Sequence, residues 1–212
     1  VPLDKNARPL RNAIIWADNR GIKEANILKK SAFRSPIYEA TGTPIHPMSP
    51  LIKISWMRHQ DPERFAQAFK FVSLKEYIVL QLTGEYLVDH SIASSTGLFD
   101  IHQLKWNAQA LEFAGISPER LSAPVSIFFD EVPLKKEYSK SLGLSGSTKV
   151  ILGSSDGCSA TLGSGNIAAD RATVTIASSG AVRVASKEIL VDEKQRFFNY
   201  LLAEDYYISG GP

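Results

Sequence analysis

Three helix starts crowd one short stretch of the chain, and nothing else in the sequence narrows the choice of fold as much. Ser49-Pro50 sets a capping hydroxyl before a first-turn proline, Asp61-Pro62 repeats the device, and Ser73-Leu74-Lys75-Glu76 is a capping box. Behind them Ile52 and Trp56, then Phe65 and Phe69, then Leu74, Ile78 and Leu82 recur at four-residue spacing. This predicts helices that lay apolar stripes on a core, the last stopping at Thr83-Gly84. The far end of the chain keeps a different period. ATVTIASSGAVRVA reads as strand, tight Ser178-Ser179-Gly180 turn and strand, and residues 197–208 as two more short strands around Ala203-Glu204-Asp205. Helices early and hairpins late predict a mixed α/β chain with a second domain starting near residue 168.

Composition removes whole classes of function. The 212 residues are 44% hydrophobic and 22% charged, which excludes disorder, a collagen-like repeat and a coiled coil. Twenty-four basic against 22 acidic side chains leave +2, too balanced to call for a nucleic-acid or membrane-surface partner. The single cysteine, Cys158, forbids an intramolecular disulfide and fits a reducing, cytoplasmic compartment. No apolar run approaches the roughly 20 residues that span a bilayer. The opening VPLDKNARPL is no signal peptide, and with Val first and ISGGP last the chain is expected to be cut from a longer one.

Between these landmarks the reading is coarser. VPLDKNARPLRN predicts two short extended pieces around a turn at Asp4, Lys5 and Asn6. Ala13-Ile14-Ile15-Trp16 predicts a strand, residues 22–33 a helix, and 35–48, with three prolines and a glycine, a loop. Residues 86–101 predict strand, polar loop, strand. Asn107 and Ser117-Pro118 open two short helices, and 125–147 is irregular. Lys149-Val150-Ile151-Leu152 predicts a buried strand leading to a small-residue turn at Asp156.

Several residues are candidates for chemistry. Gly153-Ser154-Ser155-Asp156-Gly157 satisfies G-x-S-x-G, which would make Ser155 a hydrolase nucleophile. All four histidines (His46, His59, His90, His102) precede it, however, so the order Ser, acid, His cannot be completed. The same turn presents Asp156 where α/β sheets place ligand chemistry, either as a general base for a hydroxyl or as a cap on the following helix. Ser178, Ser179 and Gly180 suit phosphate oxygens or a plain hairpin turn. Trp16-Ala17-Asp18-Asn19-Arg20 offers a stacking face, a carboxylate and a guanidinium, fit for a polyol or simply a salt-bridged strand end. Lys53 and Trp56 read as structural, Cys158 as unreactive, and no metal-ligand spacing occurs.

The order of these motifs resembles the FGGY family of carbohydrate kinases, nearest its gluconokinase branch. RPLRNAIIWADNRG is similar to the strand and turn before that family's first sugar-domain helix. MSPLIKISWMRHQ resembles its signature helix, with His59 where another polar residue is more usual. FVSLKEYIVLQLTGEYLVDHSIASSTGLFDIHQLKW resembles the stretch that completes the sugar-binding domain, VILGSSDGCSATLGSG the segment with the catalytic aspartate, and TIASSGAVR the second phosphate hairpin. The resemblance implies an α/β, actin-like, ribonuclease-H-like ATPase fold. Residues 1–167 would be most of the sugar-binding domain and 168–212 the first strands of the ATP-binding domain. It also implies phosphoryl transfer from ATP with Mg²⁺ to a sugar or sugar-acid hydroxyl, gluconate to 6-phosphogluconate first. Xylulokinase, glycerol kinase or a non-catalytic sugar-binding relative are the alternatives. Asp156 would be the base, Asp18, Arg20 and Met48 would belong with it to the sugar wall, and Ser178, Ser179 and Gly180 would border the ATP phosphates. A homodimer is allowed, with no nucleic-acid or membrane partner. Two departures stand out. Ala177 replaces a usual glycine, and the family's Asp-Gly-Thr-type phosphate loop, which holds Mg²⁺ and ATP, is missing together with a sugar-contacting loop. The chain by itself is therefore expected to lack useful kinase activity.

Overall fold

The computed structural model describes residues 1–176, 180–203 and 205–211. In chain order the elements are β1 (Pro2–Leu3), α1 (Ile22–Lys30), α2 (Arg34–Thr41), α3 (Pro50–Gln60), α4 (Pro62–Gln67), β2 (Lys70–Phe71) and α5 (Leu74–Thr83). Then come β3 (Leu87–Asp89), α6 (His90–Ser94), β4 (Phe99–Asp100), β5 (Lys105–Trp106), α7 (Ala108–Ala114), a 3₁₀ turn (Pro118–Arg120), β6 (Ala123–Val125) and α8 (Lys136–Ser141). The chain closes with α9 (Asp156–Gly163), β7 (Thr173–Ile176), β8 (Gly180–Ser186), β9 (Phe198–Ala203) and β10 (Tyr206–Gly211).

The first half packs around α3. Leu51, Ile52 and Met57 of that helix are buried against Ala25 and Leu28 of α1, Ile37 of α2 and Ala110 and Ala114 of α7. Pro50 opens the first turn of α3, where Ser49 holds the cap position without a side-chain cap bond, and the capping box at Ser73 and Glu76 forms in full at α5. The Arg120 guanidinium closes one end of this core, 4.5 Å from the Phe65 ring and 4.8 Å from the Phe71 ring. The late strands form an antiparallel sheet in the order β7-β8-β10-β9. One face of it buries Ala185, Leu202 and Ile208 against Cys158 of α9. α6 ties the two halves together, since Ser94 Oγ accepts from Leu201 N on β9 at 3.0 Å.

Local patterning misplaced several elements. Residues 35–48 are not all loop: α2 occupies Arg34–Thr41, with Pro36 in the first turn where no N–H is needed. That helix ends at Gly42 (φ +61°), where a Cβ would sit 2.8 Å from Ile101 Cδ1 and 2.9 Å from Asn199 Cβ. The polar loop expected within 86–101 contains α6, the helix expected at Ser117-Pro118 is a single 3₁₀ turn, and α8 lies inside the stretch read as irregular. Neither Ala13-Ile14-Ile15-Trp16 nor residues 149–152 form a strand. The latter keep one bridge, Pro133 to Lys149, and Ile151 is 61% exposed. A strand needs a continuous ladder: beside that bridge residues 149–152 have the bond from Val150 N to the Val132 carbonyl at 2.9 Å, too little to extend into one, and Ala13-Ile14-Ile15-Trp16 pairs with no strand among the described residues. α5 buries Val79 and Leu80, whereas Leu74 and Ile78 are 57% and 58% exposed, so its expected apolar face is the outer one. Phe69 lies beyond the end of α4.

Candidate active site

A cleft of about 1470 Å³ runs between the strap 13–19, the entry to α3, the start of α9 and the sheet. Met48, Asp156 and Gly180 line it, as do Trp16, Ala17 and Asn19. Ser178 and Ser179 lie outside the described residues.

Asp156 is the first residue of α9, but it does not cap that helix. The cap is Ser155, whose Oγ accepts from Cys158 N at 3.4 Å and from Ser91 Oγ at 3.1 Å, while Ser155 N donates to Ser91 Oγ at 3.1 Å. This buried knot consumes the Ser155 hydroxyl and removes the hydrolase reading. It also relieves Asp156 of a structural task. The exposed Asp156 carboxylate accepts only from Gly157 N, at 2.8 Å, and no cation forms an ion pair with it among the described residues. An unshielded carboxylate on a cleft wall is free to take a proton from a bound hydroxyl.

Lys75 steadies the segment that delivers Asp156. Its Nζ pairs with Asp89 at 2.7 Å and donates to the carbonyls of Gly153 at 3.3 Å and Ser154 at 3.1 Å. Asp89 is buried and also caps α6 by accepting from Ile92 N at 2.9 Å. Sequence reading saw Lys75 only inside a capping box, because its partners lie across the fold.

The opposite wall keeps its charges to itself. Asp18 and Arg20 grip each other, with contacts of 2.6 to 2.9 Å, and the guanidinium lies 4.8 Å from the Trp56 ring centre. The hydrogen bonds from Arg20 hold the Asp18 carboxyl at about 2. Their neighbours Ala17 and Asn19 line the cleft, and the pair braces the turn behind them. Met48 is set by its N–H, which donates to His46 Nδ1 at 3.2 Å. Withdrawal from water, with Lys29 and Lys53 nearby, holds His46 below the usual histidine range, which favours the neutral ring this bond requires. Lys53 also lines the cleft, donating to the Ile15 carbonyl, with burial lowering its pKa.

The sheet side adds two residues that sequence reading passed over, Arg183 on β8 and Tyr200 on β9. Burial pushes the Tyr200 hydroxyl up to about 12, so it stays protonated. Among the described residues no group of three or more His, Cys, Asp or Glu is placed to hold a metal, and no helix is long and apolar enough to cross a membrane. Asp156 and Glu76 are the only carboxylates on the described cleft wall, and Glu76 is engaged in the α5 capping box.

The model of the FGGY family of carbohydrate kinases, N-terminal domain, matches residues 1–163. The chain belongs to the FGGY family. It is 38% identical to the gluconokinase of Bacillus subtilis (strain 168) over 100% of the chain and 41% of that protein. It is 26% identical to the xylulose kinase of Staphylococcus xylosus over 99% of the chain and 44% of that protein. Two solved structures from Lactobacillus acidophilus, one described as a ligand-bound xylulose kinase and one as a gluconate kinase, each superpose with a TM-score of 0.93 at 34% identity, covering 100% of this chain and 43% of theirs. The fold is thus the α/β, actin-like ATPase fold of FGGY kinases, and the chain spans about 41% of the gluconokinase relative it matches.

Proposed function

We propose that the protein carrying this chain transfers the γ-phosphoryl group of ATP to a hydroxyl of a sugar or sugar acid, with gluconate as acceptor and 6-phosphogluconate as product. One observation carries the reading: Asp156 is an unpaired carboxylate on the wall of a family kinase's cleft, its helix capped by another residue. Asp156 accepts the acceptor hydroxyl's proton as that oxygen attacks phosphorus, a contribution of roughly 10² to 10⁴ in rate. Most of the remaining acceleration comes from alignment and from neutralising phosphate charge. Met48 and the turn braced by Asp18 and Arg20 shape the sugar wall, and Gly180, with Ser178 and Ser179, borders the nucleotide phosphates. Mg²⁺ travels with ATP.

Gluconate is favoured over a neutral sugar by the 38% identity to gluconokinase and by the charge of the cleft. Among the described residues seven lysines and arginines line it against two carboxylates, Glu76 and Asp156, and five of the seven (all but Lys75 and Arg196) have no ion-pair partner there. Xylulose is the second reading, supported by the equal match to the structure described as a xylulose kinase. A non-catalytic sugar-binding role is disfavoured by the free Asp156. We assign residues 1–167 to the sugar-binding domain and 168–212 to the start of the ATP-binding domain, in a ribonuclease-H-like arrangement. The protein works in the cytoplasm, in keeping with a single, buried, unpaired cysteine.

The test is ADP release by the protein in its full natural length, with MgATP and separately gluconate, xylulose and glycerol. Gluconate-dependent ADP at least about tenfold above the other two, which corresponds to about 1.4 kcal/mol of discrimination, is expected. ADP release that no acceptor stimulates would overturn the assignment.

A further inference from the structure

Arg183 is a cleft-lining arginine with no carboxylate partner among the described residues. One guanidinium nitrogen, Nη1, donates to Thr175 Oγ1 on the neighbouring strand at 3.2 Å, which aims the group without neutralising it. The rest of the fork lies over Gly157, the residue after Asp156. A Cβ at Gly157 would stand 3.2 Å from Arg183 Nε and 3.3 Å from Nη2, so the absence of a side chain there admits the guanidinium. Arg183 and Asp156 come this close through Gly157, both face the cleft, and both act on the hydroxyl of Tyr200. Yet no ion pair joins them within 4.0 Å. A fixed cation left beside the base, and not spent on it, is placed for negative charge that arrives with a reactant. Arg183 also sits on β8, the strand that begins at Gly180, a residue proposed to border the nucleotide.

We propose that Arg183 is a further catalytic residue, whose guanidinium holds the oxygens of the phosphoryl group in transit from ATP to the acceptor. The step balances with the groups already named. The acceptor oxygen forms a bond to the γ-phosphorus, the bond from that phosphorus to the β,γ-bridging oxygen breaks, and ADP leaves with the electron pair. The acceptor's proton goes to Asp156. Charge on the equatorial oxygens is met by Arg183, which stays protonated throughout. This rests on the kinase reading above, and it adds a residue that belongs to the transfer step rather than to sugar binding.

The test uses the full-length protein and compares wild type with Arg183→Met, Arg183→Lys and Gly157→Ala. Arg183→Met should lower kcat by at least about 10²-fold while the KM for gluconate stays within about threefold. Added guanidinium ion should restore part of that loss, a response that a merely structural role does not produce. Arg183→Lys should keep an intermediate kcat, because a point charge replaces a planar fork. Gly157→Ala, which pushes the guanidinium aside by a few tenths of an ångström, should lower kcat less and in the same sense. An unchanged kcat with a raised KM for gluconate would overturn the proposal and make Arg183 a holder of the substrate carboxylate. Loss of activity with a lowered melting temperature and no rescue, in both Arg183 variants, would overturn it in favour of a structural role. A wild-type protein without acceptor-stimulated ADP release would sink the kinase reading itself, a result separable from either.

Discussion

Two arginines serve the cleft, Arg183 on its wall and Arg20 behind the turn whose Ala17 and Asn19 line it, and they are treated differently. On the strap side Arg20 is closed on Asp18 by a fork of contacts and lies on Trp56, so both charges serve the shape of the turn. On the sheet side Arg183 has a hydroxyl for a partner and Asp156 has a backbone N–H, so two opposite charges sit close without meeting. Pairing fixes geometry and quenches reactivity, whereas leaving charges apart keeps them available to a ligand. The same contrast runs through the packing. The helices around α3 close over their apolar residues, while on β7 Ile176 remains 85% exposed.

The open side depends on a clamp, and breaking that clamp is the larger perturbation. Lys75→Met leaves Asp89, 1% exposed, with its α6 cap but without its cation, and frees the carbonyls of Gly153 and Ser154. The expected cost is about 2–3 kcal/mol, read as a lower melting temperature, with activity falling alongside because Asp156 loses its support. Lys75→Arg should recover most of the stability. A melting temperature indifferent to Lys75→Met would mean that the Ser91–Ser155 knot alone holds the start of α9.

The paired side should respond more weakly and in the direction its charge dictates. Hydrogen bonds from Arg20 depress the Asp18 carboxyl to about 2, against about 3.9 for an ordinary aspartate. The brace is therefore fully present above about pH 4 and is lost as pH falls through about 2. Fluorescence of Trp16 and Trp56 should report this as an acid transition centred near 2. Asp18→Asn should remove the transition, because the turn is then already released at neutral pH. The same transition in the variant would show that the tryptophans follow another group.

How much of this could be read from the chain depended on the range of the interaction. The capping box at Ser73 and the pairing of β7 with β8 rest on neighbours in sequence and formed as patterned, whereas Ser49 sits at the start of α3 without a side-chain cap bond. α2 was hidden because prolines read as loop, although Pro36 occupies the first turn where a helix tolerates it. The face of α5 was misjudged because four-residue spacing shows that a stripe exists, not which stripe the fold covers: Val79 and Leu80 face inward, Leu74 and Ile78 outward. The place of Asp156 beside a turn was legible from its small neighbours, and its role as base is what the order of motifs implies. The freedom of its carboxylate was not, since that follows from Ser155 bonding to Ser91, 64 residues away. Arg183 lay inside a recognised hairpin, yet its place over Gly157 is a tertiary contact that no local pattern announces.

The most direct measurement of the central claim is the ratio of kcat, at saturating gluconate and MgATP, between the full-length wild-type protein and Asp156→Asn. The expected ratio is at least about 10², with gluconate still binding the variant by calorimetry, because the substitution keeps the shape of the side chain and removes its ability to take a proton. A ratio within about threefold would contradict the assignment of Asp156 as the base and move the chemistry to another part of the cleft.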